Sequence, residues 1–318
     1  MSFVGGGSDL PVFYRRFGGA VVSTAIDQYV YITVNKKFDD RIRVSYSKTE
    51  DARSVDRIKH PLVREAMKML GVDGGLEITS VADIPARGSG LGSSSTFTVG
   101  LLHALHAFAG RHTSAEQLAR EACEIEIDRC GEPIGRQDQY AAAFGGLNFI
   151  RFNPDDTVVV EPIICRGETL EQLQAHTLVF YTGITRSASA ILKHQQTALA
   201  GEKKKQLVTK KMVDLAHELR RELQHNRAAA FGEIIHEGWR LKKSLTKGIT
   251  TDAIDEWYDK ARRAGALGGK LLGAGTGGFL YFFAPPEKHD AIAHALRELR
   301  RMDFHFEPGG SRIIFVHH

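Results

Sequence analysis

The stretch Pro85-Ala-Arg-Gly-Ser-Gly-Leu-Gly-Ser-Ser-Ser-Thr96 joins two regular elements through a run of glycine and serine. A strand-like run at residues 76–81 precedes it, and apolar residues at helical spacing follow it over residues 97–108. A glycine-rich turn that leads into a helix start presents backbone N–H groups and the positive end of the helix dipole, and this combination binds phosphate. The pattern therefore predicts a phosphate-binding loop, with a tight structural turn as the alternative.

Three common glycine motifs do not fit this loop. No Gly-Lys-Ser/Thr closes it, which excludes a Walker A loop. No acidic residue ends a second strand about 20 residues later, as a dinucleotide-binding unit requires. Gly-x-Ser-x-Gly is absent as well, which argues against the nucleophile elbow of a hydrolase.

The composition is that of an ordinary globular protein. The 318 residues suit two domains, with 42% hydrophobic and 25% charged residues. The net charge of +4 is mild and no basic block with interleaved aromatics occurs, so we expect no nucleic-acid partner. Without a signal peptide or an 18-residue apolar run, we expect no membrane partner. Three cysteines outside any Cys-x-x-Cys spacing predict unpaired thiols and a cytoplasmic location.

Strands and helices mix in two clusters, which predicts two α+β domains, residues 1–170 and 171–318. In the first, we expect strands within 21–47, a helix over 61–70, a strand over 76–81 and a helix from the capping box Ser114-Ala-Glu-Gln117 to Cys130. In the second, the pattern predicts helices over 188–224, 228–245, 251–264 and 287–301, and strands over 178–181, 277–283 and 311–316.

The phosphate loop, read as Pro-x-x-x-Gly-x-Gly-Leu-Gly-Ser-Ser, resembles the nucleotide loop of the GHMP kinases, which include galactokinase, homoserine kinase and mevalonate kinase. Gly5-Gly-Gly-Ser-Asp-Leu-Pro11 resembles the substrate motif of that family, and Gly268-Gly-Lys-Leu-Leu-Gly-Ala-Gly-Thr-Gly-Gly278 resembles its third motif. The resemblance covers nearly the whole chain. It implies the α+β, two-domain GHMP kinase fold, with an N-terminal domain like the second domain of ribosomal protein S5 and a ferredoxin-like C-terminal domain.

Within the family, Gly131-Glu-Pro-Ile-Gly-Arg-Gln-Asp-Gln-Tyr140 and Gly309-Gly-Ser-Arg-Ile-Ile314 most resemble the bacterial kinases of heptose phosphates. The resemblance implies ATP and Mg²⁺ as cofactors and a small-molecule sugar phosphate as the other partner. Two alternatives stay open: a GHMP kinase for fucose, galactose, glucuronate or mevalonate, and a non-catalytic nucleotide-binding regulator. A homodimer is a candidate assembly.

The nucleotide is expected at the loop and the helix start, on Gly88, Gly90, Leu91, Gly92, Ser93, Ser94 and Ser95. At helical spacing, Glu126 falls on the same helix face as Cys123 and Cys130, a face made of small, apolar residues. An unpaired carboxylate is costly to bury on such a face. Glu126 is therefore either a metal ligand or the partner of an arginine. The resemblance places the family's magnesium ligands at Ser94 and Glu126.

Three further places carry candidate chemistry. Asp138 could cap a short helix, whereas the resemblance implies that it acts on the acceptor hydroxyl as a base or an orienting acceptor. Asp9 could cap a turn, whereas the resemblance implies that Gly7, Ser8 and Asp9 contact sugar hydroxyls. Arg186 follows a strand and opens a helix, which suits an anion; the alternative is a surface arginine.

The start of the chain departs from the family pattern. Members usually carry a strand that ends in a Pro-Leu-Arg-like segment before the glycine triplet, whereas this chain begins with Met1-Ser-Phe-Val4. We therefore expect an edge strand and a basic residue near the phosphates to be missing.

Overall fold

A computed structural model describes residues 1–84, 90–184 and 189–317 of the chain. These residues form two compact units. Unit 1 holds the described residues of 1–27, 90–91 and 146–308, and unit 2 holds those of 28–84, 92–145 and 309–317. Each unit is made of several separate stretches of the chain. The two domains predicted from the sequence, residues 1–170 and 171–318, stay a prediction.

The strands are, in chain order, β1 (Ser2–Val4), β2 (Gly19–Ile26), β3 (Val30–Lys36), β4 (Ile42–Ser45), β5 (Thr49–Ala52), β6 (Leu76–Ala82), β7 (Leu147–Phe152), β8 (Val158–Pro162), β9 (Thr177–Tyr181), β10 (Gly268–Leu271), β11 (Phe279–Phe283), β12 (Arg300–Met302) and β13 (Phe306–Glu307). The helices are α1 (Pro11–Phe17), α2 (Pro61–Leu70), α3 (Ser93–Phe108), α4 (Ala115–Cys123), α5 (Gln137–Phe144), α6 (Gly167–Ala175), α7 (Ser189–Gly201), α8 (Lys203–Gln224), α9 (Phe231–Lys243), α10 (Asp252–Arg263) and α11 (His289–Ala295). No helix of the described residues is long and apolar enough to cross a membrane.

Unit 1 contains two antiparallel sheets. The first has the strand order β1-β2-β7-β8, with β13 also pairing with β2. An edge strand is therefore present at the start of the chain, in the place where the sequence led us to expect a missing one. The second sheet has the order β10-β11-β9-β12. When the four strands of this sheet are numbered by their position along the chain, they lie side by side in the order 2-3-1-4. Helices follow the first and the third of these strands, which is the βαββαβ arrangement of a ferredoxin-like domain.

Unit 2 contains the third sheet, in the order β3-β6-β4-β5. Only the β4–β6 pair is parallel; the other two pairs are antiparallel. Helices α2 to α5 belong to this unit, and buried apolar residues of helices and strands form its core: Ile42, Val63, Met67, Ile78, Leu101, Leu105 and Leu118. The predicted α+β class, with helices and strands in both units, is confirmed.

Several boundaries differ from those expected. The predicted helix over 188–224 is two helices, α7 and α8, which meet at Glu202. The predicted helix over 287–301 is wrong beyond Ala295, because Arg300–Met302 pairs with β9 instead. The predicted strand over 311–316 is also wrong, because no strand of the described chain includes these residues. No disulfide bond joins the cysteines of the described chain.

An aromatic cluster binds the elements of unit 1 together. Phe3 on β1 is 1% exposed. Its ring packs edge-on against Phe231 of α9, with centroids 5.0 Å apart, and against Tyr281 of β11 at 5.6 Å. Burial of such rings against one another is a major source of core stability. The three-residue strand β1 is therefore held in place by the packing of Phe3 as well as by its hydrogen bonds to β2.

We expect Phe3→Ala to destabilise the protein by about 3–5 kcal/mol, because it leaves a cavity among the rings. Phe38 is fully exposed, so Phe38→Ala is the matched control and should change stability by about 0.5 kcal/mol or less. Chemical denaturation measures both. Equal losses in the two variants would contradict the role given to Phe3.

Candidate active site

In unit 2, the start of α3 is built to receive an anion. Gly92 is the N-cap residue, in the left-handed region with φ 71°, and no side chain caps the helix. The first intrahelical bond runs from the Thr96 N–H to the Gly92 carbonyl, at 2.9 Å. The first turn of α3, which begins with Ser93, can therefore direct its backbone N–H groups and the helix dipole at a phosphate. Gly88 lies outside the described residues.

Glu126 is the centre of a hydrogen-bond cluster in this unit. It is 1% exposed. Its Oε1 accepts from Ser94 Oγ at 2.7 Å, and its Oε2 accepts from Ser95 Oγ at 2.7 Å and from Gln139 Nε2 at 2.5 Å. Among the described residues no arginine or lysine forms an ion pair with Glu126, and its hydrogen bonds come from hydroxyl and amide groups.

A local change of helix type carries Glu126. Helix α4 begins at its predicted cap, where Ser114 Oγ accepts from the Gln117 N–H, but it ends at Cys123. The next six residues, Glu124–Arg129, form a π-helical turn. The helix predicted to run to about Cys130 is therefore confirmed in its extent, with a change from α to π type that the sequence did not predict, and the inward direction predicted for Glu126 is confirmed by its burial. Such π-helical turns occur frequently at functional sites.

Opposing effects act on the Glu126 carboxylate. Burial raises its pKa, because a charged carboxylate is less stable away from water. The hydrogen bonds from Ser94, Ser95 and Gln139 lower the pKa, and the negative charge of Asp138 raises it. Burial is the largest of these effects, so the pKa of Glu126 is raised on balance, and the three donors oppose that rise.

Asp138 lies beside the start of α3. It is in the first turn of α5, whose N-cap residue is Arg136, so Asp138 is not the N-cap that the sequence allowed. A methyl group added at Gly92 would lie 3.2 Å from Asp138 Cγ. The structure therefore brings Ser94, Glu126 and Asp138 together at one helix start.

The oxygen atoms of this cluster fit a hard divalent cation. Ser94 is exposed and donates to Glu126 Oε1, while the buried amide oxygen of Gln139 has no hydrogen-bond partner among the residues that the structure describes. No group of three or more His, Cys, Asp or Glu side chains with metal-binding geometry occurs in the described part of the chain. That is compatible with Mg²⁺, which usually takes one or two carboxylates and fills its other positions with water and phosphate.

In unit 1, the glycine triplet forms a tight turn around Asp9, which is 2% exposed. Asp9 Oδ1 accepts from the Gly7 N–H at 2.8 Å. Ser8 is fully buried, and its hydroxyl is within 3.1 Å of both the carbonyl and the N–H of Ala20. The Ser8 hydroxyl is thus engaged with the sheet, and the sugar contacts predicted for Gly7, Ser8 and Asp9 stay predictions.

Gln195 on α7 packs directly on this turn. A methyl group added at Gly7, where φ is +98°, would lie 2.2 Å from Gln195 Nε2. Only glycine fits a backbone with this φ and this neighbour. Gln195 is 2% exposed, and sequence reasoning missed it because it lies 188 residues from Gly7 along the chain. Arg186, the predicted anion-binding residue before α7, lies outside the described residues.

The third glycine-rich motif touches the phosphate loop within unit 1. Gly90 has φ +76°, and a methyl group added there would lie 2.4 Å from the Leu272 carbonyl oxygen. Lys242 of α9 is buried and donates through Nζ to the carbonyl of Gly273. Leu91 packs against the aromatic core around Phe3. Lys242 gave no signal in the sequence, because it lies among other basic residues of a helix.

Comparison with known proteins defines the class. Residues 58–146 match the GHMP kinases N terminal domain, and residues 219–301 match the GHMP kinases C terminal domain. A D-glycero-alpha-D-manno-heptose 7-phosphate kinase from Campylobacter jejuni is 30% identical over 98% of this chain and 95% of its own length. A galactokinase from Pyrococcus furiosus is 26% identical over 87% and 86%.

A solved structure agrees with these matches. The D-glycero-D-manno-heptose 1-phosphate kinase from Bacteroides thetaiotaomicron superposes with a TM-score of 0.79 and 27% identity, over 98% of this chain and 94% of that one. The chain belongs to the GHMP kinases and has their two-domain fold. It is a phosphotransferase, and it is a homologue of heptose phosphate kinases.

We expect Gly90→Ala to abolish the rise in melting temperature that a non-hydrolysable ATP analogue gives, because the added methyl group would displace the loop from Leu272 and Gly273. Gly110 also has positive φ, +67°, but has no neighbour within 4 Å of an added methyl group. Gly110→Ala is therefore a control for backbone strain alone, which costs about 1–2 kcal/mol, and it should keep the nucleotide shift. A wild-type shift in Gly90→Ala would remove Gly90 from the nucleotide site.

Proposed function

We propose that this kinase transfers the γ-phosphoryl group of ATP to the anomeric hydroxyl of D-glycero-D-manno-heptose 7-phosphate. The product is the 1,7-bisphosphate, on a route to nucleotide-activated heptose for surface polysaccharide. The observation that carries the kinase chemistry is the meeting of Ser94, Glu126 and Asp138 at the start of α3. A phosphate site, a metal-binding carboxylate and a proton acceptor are the parts that phosphoryl transfer requires.

The choice of acceptor rests on the relatives. The Campylobacter jejuni protein is named for the 7-phosphate and the Bacteroides thetaiotaomicron protein for the 1-phosphate. Both names contain the same heptose and differ in the position of the phosphate. We take the 7-phosphate, because that sugar keeps a free anomeric hydroxyl as acceptor, whereas in a 1-phosphate that oxygen already carries the phosphate.

In the proposed reaction, Asp138 accepts a hydrogen bond from the anomeric hydroxyl and either takes its proton or orients it. The hydroxyl oxygen forms a bond to the γ-phosphorus as the bond to the ADP oxygen breaks. Ser94 and Glu126 would hold Mg²⁺, which neutralises phosphate charge when it is bound. The N–H groups at the start of α3 would bind the phosphates.

The sugar end of the proposed substrate needs different partners. A buried Asp9 on the glycine turn offers carboxylate oxygens to sugar hydroxyls, and the turn lets a ligand approach the backbone closely. A phosphate at the far end of the sugar needs a cation, for which we propose Arg186. The bidentate guanidinium of arginine suits a phosphate well.

A second candidate is another small-molecule kinase of the same family. The galactokinase relative spans nearly the same length as this chain. A mevalonate kinase from Thermococcus onnurineus is 29% identical over 79% of the chain. Sequence identities in this range do not distinguish which acceptor a kinase of this family phosphorylates, because acceptor choice depends on a few side chains in the binding pocket.

We expect Asp138→Asn to lower kcat by ~10²–10⁴, the usual contribution of a general base, while ATP binding changes little. The measurement is steady-state kinetics together with the affinity for an ATP analogue. Asp128 is exposed in the same unit, so Asp128→Asn is a control that should keep wild-type turnover. If Asp138→Asn keeps most of the turnover, Asp138 has only a structural role.

The acceptor is tested by kcat/KM for the heptose 7-phosphate against galactose, fucose and mevalonate under one set of conditions. We expect the heptose phosphate to give the highest value. Arg186→Ala should raise KM for the heptose phosphate and leave KM for unphosphorylated sugars unchanged, because only the phosphorylated sugar needs the guanidinium. A higher value for any of the other three acceptors would overturn the heptose assignment and leave the kinase assignment standing.

A further inference from the structure

The two oxygens of the Glu126 carboxylate have different environments. Oε2 accepts from Ser95 Oγ and Gln139 Nε2, whose residues are 3% and 0% exposed. Oε1 accepts only from Ser94 Oγ among the described residues, and Ser94 is exposed. One oxygen is therefore held by two buried side chains, while the other adjoins the accessible side of the helix start.

The amide of Gln139 has a defined orientation. Its Nε2 donates to Glu126 Oε2, and an amide turned the other way would place two acceptor oxygens against each other. Its Oε1 has no hydrogen-bond partner in the described structure. A buried amide that gives its donor to one carboxylate oxygen and leaves its own acceptor unused is costly to stability unless it serves another purpose.

We infer that Ser95 and Gln139 are positioning residues that fix the rotation of the Glu126 carboxylate, so that Oε1 is presented with Ser94 Oγ to the divalent cation. The terminal torsion of a glutamate is broad, so an unrestrained carboxylate would sample many orientations. Two donors on Oε2 remove that freedom before the cation arrives. Neither residue needs to touch the cation for this effect.

The inference rests on the proposed function, since it assumes that Glu126 binds the cation. It also changes the role expected of Ser95 from the sequence. Its hydroxyl is occupied by Glu126, so a nucleotide contact of Ser95 would have to come from its backbone N–H. Partners that orient a metal ligand typically contribute 10–100-fold to metal affinity or activity.

The test measures binding of Mn²⁺ to the full-length protein in the presence of a non-hydrolysable ATP analogue. The electron paramagnetic resonance signal of free Mn²⁺ reports how much Mn²⁺ stays unbound. We expect Ser95→Ala and Gln139→Met each to weaken Mn²⁺ binding by ~10–100-fold. Ser95→Thr keeps the hydroxyl and should recover most of the affinity. In kinetics, the Mg²⁺ concentration for half-maximal rate should rise by a similar factor, and KM for ATP at saturating Mg²⁺ should change less.

Two further variants separate the outcomes. Thr98 is also buried in α3, and its hydroxyl bonds to the Ser94 carbonyl without touching Glu126; Thr98→Val is therefore a control for loss of a buried hydroxyl and should keep Mn²⁺ affinity. Glu126→Gln is the reference for loss of the metal ligand. If Glu126→Gln weakens Mn²⁺ binding but Ser95→Ala and Gln139→Met only lower the melting temperature, the positioning role is overturned. If Glu126→Gln itself leaves Mn²⁺ binding unchanged, the metal site of the proposed function fails, and the inference fails with it.

Discussion

The buried carboxylate of Glu126 is the constraint around which the catalytic side of unit 2 is arranged. Transfer of an ionised carboxylate out of water costs several kcal/mol even after relaxation. Three hydrogen bonds from Ser94, Ser95 and Gln139 offset part of that cost. They come from the start of α3 and from α5, so the same bonds that stabilise the charge also join the helix start that would bind phosphate to the helix that carries Asp138.

The second constraint is the close approach of other segments of unit 1 to the backbone at two glycines, by a main chain at Gly90 and by the side chain of Gln195 at Gly7. Gly90 lies against the Leu272 carbonyl, and Gly7 lies against the Gln195 amide. A side chain added at Gly90 would displace the backbone of residues 272–273, whereas one added at Gly7 would displace the Gln195 side chain. The glycine motifs therefore do more than allow turns: they let one loop lie directly on another, and the buried Lys242 adds a bond to the Gly273 carbonyl at one of these contacts.

These constraints concern phosphoryl transfer more directly than they concern the choice of acceptor. Phosphoryl transfer depends on a helix start, a metal ligand and a proton acceptor, and the described residues include a candidate for each. Acceptor choice depends on side chains that face the sugar and its phosphate. Among those predicted, Ser8 is engaged with Ala20, and Arg186 lies outside the described residues.

The sequence by itself determined the class of protein, the order of its three glycine motifs and the helix Pro61–Leu70, because these depend on short-range spacing and on residues that only one backbone conformation suits. It also identified Glu126 as a carboxylate on an inward side. The tertiary structure decided what depends on partners far along the chain. Arg300–Met302 is a strand because it pairs with β9, against the helical propensity of its surroundings. Ser95 and Gln139 reach Glu126 from 31 and 13 residues away, and helical periodicity alone cannot say which carboxylate oxygen they hold.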